Sequence, residues 1–212
     1  MAVWIVIPAY NEVESLEFLL PEIFGSASES LGPFHVLVVD DGSDDETVPL
    51  LQRFQHTFRN LHFVSLTRNL GKAEALRTGF QEAIGHQASA IIMMDADGQD
   101  DPAELTQLLT ALESSDLATG SRIRRQDRFV KRVTSKIYNR MTAIVSGVKG
   151  TDFNSGFKAM SPEVAEVTSP MLYGELHRYL TVIASAAGFR VVEVPVNHRA
   201  RAHGESKYGI SR

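Results

Sequence analysis

Cysteine is absent from this 212-residue chain. Without thiols there is no disulfide framework, no thiolate metal site and no cysteine nucleophile, and the chain suits a reducing compartment. No stretch approaches the ~20 apolar residues of a membrane span. The opening run Met-Ala-Val-Trp-Ile-Val-Ile-Pro has no basic region ahead of its short apolar segment, so it does not read as a signal peptide. These absences predict a chain that is soluble or peripheral to a membrane. Gly-x-Gly-x-x-Gly is also missing, which argues against a dinucleotide dehydrogenase.

What is present is ordinary for a globular chain: 43% hydrophobic and 22% charged residues. That composition excludes wholesale disorder, and the length suits one domain. The net charge of −5 hides an asymmetry. Arg122, Arg124, Arg125, Arg128, Lys131, Arg132, Lys136 and Arg140 are opposed locally only by Asp127, so the rest of the chain is strongly acidic. A basic cluster on an acidic protein suits an anionic partner at one site, although a solvated helix face has the same composition.

Hydrophobic periodicity predicts strands over 3–7, 34–39, 61–66 and 90–94, each a short run rich in β-branched or other apolar residues. Between them, helical spacing predicts helices over 12–24, after Ser43 and over 71–83. Pro102 marks the first turn of another. Ser43-Asp44-Asp45-Glu46 has the form of a capping box. Four alternations before residue 115 predict an α/β domain with a mainly parallel sheet and helices on both faces. After 115 the pattern changes: strands are expected over 116–120, 157–160 and 190–196, an amphipathic helix over 129–145 and a helix over 172–187. Residues 1–115 and 116–212 are thus expected to form two halves of one domain, the second being the expected home of an acceptor site.

Ligands in such sheets bind beyond the carboxyl ends of the strands. Asp95-Ala96-Asp97-Gly98-Gln99 follows one strand. Two carboxylates two residues apart suit a hard cation, Mg²⁺ or Mn²⁺, though a polar turn has the same residues. Asp40-Asp41-Gly42-Ser43 follows another strand, where a carboxylate can accept from a base or a ribose hydroxyl. Pro8-Ala9-Tyr10-Asn11-Glu12 follows the first, with Tyr10 able to stack on a base. Arg68-Asn69-Leu70-Gly71-Lys72 precedes a helix whose N-terminal amides can hold phosphate; its glycine spacing is not that of a P-loop. His177 reads more readily as structural than as a substrate contact. His198 and His203 lack an evident third ligand, so zinc is rejected.

In this order and placement the motifs resemble the family 2 glycosyltransferases of the GT-A, Rossmann-like fold. Within them the chain is similar to the polyprenyl-phosphate branch, which includes dolichol-phosphate mannosyltransferase and undecaprenyl-phosphate glycosyltransferases. The resemblance rests on residues 8–12, 40–45, 68–79, 95–102, 120–122, 152–158 and 193–208. It implies nucleotide-sugar contacts from Pro8, Tyr10, Asn11, Glu12, Asp40, Asp41, Lys72, Asp95 and Ala96. It implies a metal held by Asp95, Asp97 and Gln99, and catalytic roles for Asp97, Arg122 and Asp152. The acceptor phosphate would be met by Arg122, Lys131, Arg132, Ser135, Arg201 and Lys207, with Arg199 and Ser206 in a C-terminal loop that closes over phosphates. Relatives often continue into membrane helices, so a C-terminal membrane region is expected to be absent from this chain.

A phosphomonoester carries about −1.5 to −2 charges at neutral pH and needs cations rather than a general base. The expected reaction is therefore an inverting, metal-dependent transfer from a GDP- or UDP-linked sugar to a polyprenyl phosphate. The basic, apolar-striped segment 129–145 would contact the cytoplasmic face of a membrane. Two alternatives remain open at this point: transfer to a sugar hydroxyl with Asp152 as base, and a non-catalytic nucleotide-sugar module. A nucleotidylyltransferase would need a Gly-rich N-terminal loop where Pro8–Glu12 stands. No nucleic-acid module is recognisable, and the sequence specifies no oligomeric state.

Overall fold

Apolar runs too short for helices pair here into a seven-stranded sheet. The computed structural model of the protein describes residues 1–122 and 155–200. The elements are β1 (Val3–Ala9), α1 (Val13–Ser30), β2 (Phe34–Asp40), α2 (Thr47–Gln55), β3 (Leu61–Ser65), α3 (Lys72–Gly85), β4 (Ala90–Met93), α4 (Leu105–Ala111), β5 (Leu117–Arg122), β6 (Lys158–Met160), α5 (Pro162–Thr168), α6 (Leu180–Ala186) and β7 (Val191–Val196). Strand order is β3-β2-β1-β4-β6-β5-β7. β6 runs antiparallel to both of its neighbours, β4 and β5, while every other adjacent pair is parallel. The α/β expectation therefore holds, with one reversed strand near the middle.

Alternation along β1 divides the core in two, as the pleat requires. Val3, Ile5 and Ile7 pack with Leu16, Leu20 and Ile23 of α1, Leu50 and Leu51 of α2, and Leu105 and Leu108 of α4. Trp4 and Val6 pack on the other face with Leu76 and Phe80 of α3, Val164 of α5 and Leu180 of α6. Both faces of β1, β2 and β4 are buried, which is why those strands read as continuous apolar runs.

Three local expectations need correction. The first helix continues to Ser30 rather than ending near 24. The capping box does not form: α2 begins at Thr47, and the Ser43 hydroxyl instead accepts from the Asn11 amide at 2.8 Å. A tertiary partner outcompeted the local cap. The span 172–187 is not one helix but a 3₁₀ turn, Leu176–Tyr179, followed by α6. Pro102 does open a 3₁₀ turn, with the Asp101 side chain accepting from the Ala103 amide at 3.0 Å, and α4 follows. Among the described residues no helix is long and apolar enough to cross a membrane.

Helix α3 lies close against β1 because Gly79 has no side chain. A Cβ there would come within 2.3 Å of Val6 Cγ1, a stiff β-branched group in the buried sheet. Gly79→Ala is therefore expected to cost about 1–3 kcal/mol, read as a lower urea midpoint at an unchanged m-value.

Candidate active site

The carboxyl ends of β1 and β4, the start of α3 and the loops beside β6 enclose a cavity of about 360 Å³. Pro8, Tyr10, Glu12, Lys72, Asp95, Ala96 and Asp97, which the sequence singled out separately, all line it. Ser155 and Gly156, from the motif preceding β6, line it too. The turn carrying Gly174, Glu175, His177 and Arg178 completes the wall, and only His177 of these was weighed from sequence. The sequence carries only a weak signal for the others, because the turn has neither periodicity nor a familiar spacing.

Asp95 is the centre of the charge arrangement. Its Oδ1 accepts from Lys72 Nζ at 2.5 Å, with the two side chains 31% and 18% exposed. Burial alone would raise the pKa of this carboxyl. Lys72, and then Arg122 and Lys158, outweigh burial and hold it below the ordinary carboxylate value. Gly156 makes room for it: a Cβ on that residue would meet the Asp95 carboxylate at 2.4–2.6 Å. Lys158 is fully buried in β6, facing Met93 across the ladder, and its ammonium donates to the Ser155 carbonyl. A buried ammonium is tolerated only beside compensating charge, which the carboxylates supply.

Carboxylates crowd together where the loop turns. Asp97 Oδ1 accepts from the Gln99 amide at 3.1 Å, and buried Asp100 lies beneath, its Oδ2 facing the Asp95 amide at 3.5 Å. Desolvation, then the charges of Asp95 and Asp97, push the Asp100 carboxyl up to about 7, while Arg122 pulls it down. Arg122, at the end of β5, thus lies within electrostatic reach of the same carboxylates. Carboxylate and amide oxygen donors grouped at one loop fit a hard divalent cation. Asp95 and Asp97 face the cavity, and Gln99, whose Nε2 donates to the Arg199 carbonyl at 3.3 Å, keeps its amide oxygen as an acceptor. Among the described residues no group of three or more His, Cys, Asp or Glu side chains is arranged as a metal cluster.

The remaining candidates lie elsewhere. Asn11 does not line the cavity; its Nδ2 donates to Asp44 Oδ1 at 2.6 Å and its Oδ1 accepts from the Asp44 amide at 2.9 Å, which ties the β1 and β2 loops together. Asp40 is buried and accepts from the Ser65 hydroxyl at 2.6 Å and the Ser43 amide at 3.2 Å. Asp41, also buried, accepts from the amides of Leu70 at 2.7 Å and Gly71 at 2.9 Å, so it shapes the loop that leads into Lys72. Burial raises its pKa despite those two amides. Arg199 is held between Glu22 and Asp101, at 2.6 Å from each. Its amide also donates to the Gln99 carbonyl at 2.8 Å, so the chain after β7 is strapped to the acidic loop. His198 Nδ1 is 3.9 Å from Asp100 Oδ1 in the same strap. Lys131, Arg132, Ser135, Asp152, Arg201, Ser206, Lys207 and the amphipathic segment 129–145 lie outside the described residues.

A raised pKa on Asp100 has a definite sign in the stability. The folded protein keeps this proton when the unfolded chain has lost it, so the contribution is present below the unfolded carboxyl value and is lost as pH rises toward 7. In metal-free buffer, Asp100→Asn is expected to gain stability over the parent as pH rises from 4 to 7, by up to about 1.4 kcal/mol per pH unit. Paired urea titrations across that range read the difference; a constant offset would show that Asp100 does not titrate there.

The family model described as glycosyl transferase family 2 matches residues 4–168. An undecaprenyl-phosphate 4-deoxy-4-formamido-L-arabinose transferase from Aeromonas hydrophila is 31% identical over 208 residues, 97% of this chain. The chain spans 62% of that relative's length. A Pyrobaculum calidifontis mannosyltransferase, solved with GDP-mannose and Mn²⁺, superposes with a TM-score of 0.69 at 22% identity, covering 95% of this chain and 57% of the other. Glucosyl-3-phosphoglycerate synthase from Mycobacterium tuberculosis, solved with phosphoglyceric acid, gives 0.63 at 19% identity over 96% of this chain and 73% of the other. Similarity at that level shows the fold, which is the GT-A architecture.

Proposed function

The chain belongs to glycosyl transferase family 2, and from that premise we propose that it moves a sugar, with inversion, from a GDP- or UDP-linked donor to a polyprenyl phosphate. The observation that carries this reading is the cavity itself. It gathers Tyr10 and Glu12, suited to a nucleoside, with Lys72 and the Asp95–Asp97 loop, suited to a diphosphate. Arg122, at the end of β5, lies within electrostatic reach of Asp95. The family membership and the identity to a relative named for undecaprenyl phosphate support both substrate classes.

Each part of the chain has a task in this scheme. Tyr10 stacks on the base and Glu12 accepts from it, while Pro8 bounds the pocket. Asn11, Asp40 and Asp41 act one step back by holding the loops that present Tyr10 and Lys72. Lys72 offsets diphosphate charge, as does Arg122 with Lys131, Arg132, Ser135, Arg201 and Lys207 for the acceptor phosphate. An Mg²⁺ or Mn²⁺ ion held by Asp95, Asp97 and Gln99 would neutralise the leaving diphosphate.

The acceptor is already an anion, so no residue need take its proton. A phosphate oxygen of the lipid forms the new bond to the anomeric carbon. The bond from that carbon to the donor's diphosphate breaks, and its electron pair leaves with the nucleoside diphosphate. One displacement inverts the anomeric centre, and no covalent enzyme intermediate forms. Asp152 is then not required as a base. The basic segment 129–145 sets the acceptor's headgroup against the catalytic domain at the cytoplasmic face of a membrane.

Incubating the chain with labelled GDP- and UDP-sugars, Mn²⁺ and undecaprenyl phosphate tests the reading. Lipid-linked sugar of inverted anomeric configuration is expected, with loss of transfer in EDTA. Arg122→Ala is expected to lower transfer roughly 10²-fold, the scale for one preorganised group facing transition-state charge. Near-normal transfer by that variant would remove Arg122 from the acceptor site. Cosedimentation should be stronger with anionic than with neutral liposomes, since each basic residue near an anionic surface contributes about 1 kcal/mol.

A further inference from the structure

Several polar side chains that line the cavity have no task in the scheme above, His177 among them. His177, 8% exposed, sits in the 3₁₀ turn Leu176–Tyr179 and lines the cavity with Lys72, Asp95 and Asp97. Its Nδ1 lies 3.1 Å from the Gly174 carbonyl oxygen. A carbonyl oxygen only accepts, so Nδ1 carries the proton, and the polar atom that the ring offers a ligand is Nε2, an acceptor. Burial, and then the charge of Lys72, push the ring's pKa down to about 4, so it is uncharged at neutral pH.

Three roles can be compared on this chemistry. A phosphate bears only acceptors at neutral pH and gains nothing from a lone pair. A base that weak takes few protons from a hydroxyl nucleophile at neutral pH. A hydroxyl of the ligand, by contrast, has a proton to give. The flanking Glu175 and Arg178 are largely exposed and pair with each other at 2.7 Å. The proximity of His177 to Lys72 sets it at the phosphate-bearing part of the cavity, and the hydroxyl-rich group attached there is the transferred sugar.

We propose that His177 accepts a hydrogen bond through Nε2 from a hydroxyl of the donor's transferred sugar and so helps to select which sugar is carried. The proposal rests on the reading of the cavity as a nucleotide-sugar site. It makes His177 a binding residue with a defined tautomer, neither a base nor a phosphate ligand.

Calorimetric titration in Mn²⁺ separates the possibilities. GDP, UDP, GDP-mannose, UDP-glucose and UDP-N-acetylglucosamine are titrated into the parent chain, His177→Phe and His177→Gln. The Phe variant is expected to bind the preferred nucleotide sugar about tenfold more weakly, the order of one hydrogen bond between neutral groups. It should bind the matching nucleoside diphosphate within twofold of the parent, which also shows that the site is folded. Gln, whose amide oxygen can stand near the position of Nε2, should restore most of the loss. Equal weakening of diphosphate and nucleotide sugar, or no weakening of either, overturns the proposal. A parent chain that binds the diphosphates but gains nothing from any of these sugars overturns it while nucleotide binding stands. A parent chain that binds neither class overturns both readings.

Discussion

Crowded carboxylates at the carboxyl end of β4 are the constraint around which this protein is arranged. Asp95, Asp97 and Asp100 occupy six residues of one loop, and Asp100 is buried. Lys72 answers from the start of α3, Arg122 from the end of β5 and Lys158 from within β6. Each cation comes from a different element, so the charge balance exists only once the sheet has assembled. Lys158 is fully buried, which a free ammonium could not be. The reversed strand β6 is what delivers it, and Gly156, just ahead of that strand, leaves room for the Asp95 carboxylate.

The loops around this centre are tied to one another more than to their own helices. Asn11 and Ser43 join the loops after β1 and β2, and Asp41 holds the Leu70–Gly71 amides. Gln99, Arg199, Glu22 and Asp101 strap the acidic loop to the chain beyond β7 and to α1. A polar site held this way needs little reorganisation when charge develops on a ligand. The same ties explain why several acidic residues next to the site do not face it. They are spent on position.

The strands were legible because burial on both faces leaves uninterrupted apolar runs, as in 3–7 and 34–39. The helices of the first half were legible from their leucine spacing, although the end of α1 was not, since Pro21 and Gly25, which read as stop signals near residue 24, both lie inside the helix. Ser43 was misread as a cap because a capping box is a local pattern and its oxygen found a better placed donor 32 residues away. The 172–187 span was misread for a similar reason: Gly174 and the 3₁₀ turn serve the cavity, and apolar spacing alone cannot distinguish such a turn from a helix start.

By itself the sequence determined the α/β class, the buried strands and the placement of acidic motifs at strand ends. These depend on short-range periodicity and on the rule that loops after parallel strands share one side of the sheet. Only the tertiary structure decided which of those residues face the cavity. Tyr10, Glu12, Lys72, Asp95 and Asp97 line the cavity, whereas Asn11, Asp40 and Asp41 are consumed by hydrogen bonds within the fold. Direction of a side chain depends on partners distant in sequence, and spacing along the chain carries no record of them. The same holds for His177, whose tautomer follows from one carbonyl and whose lack of charge follows from burial beside Lys72.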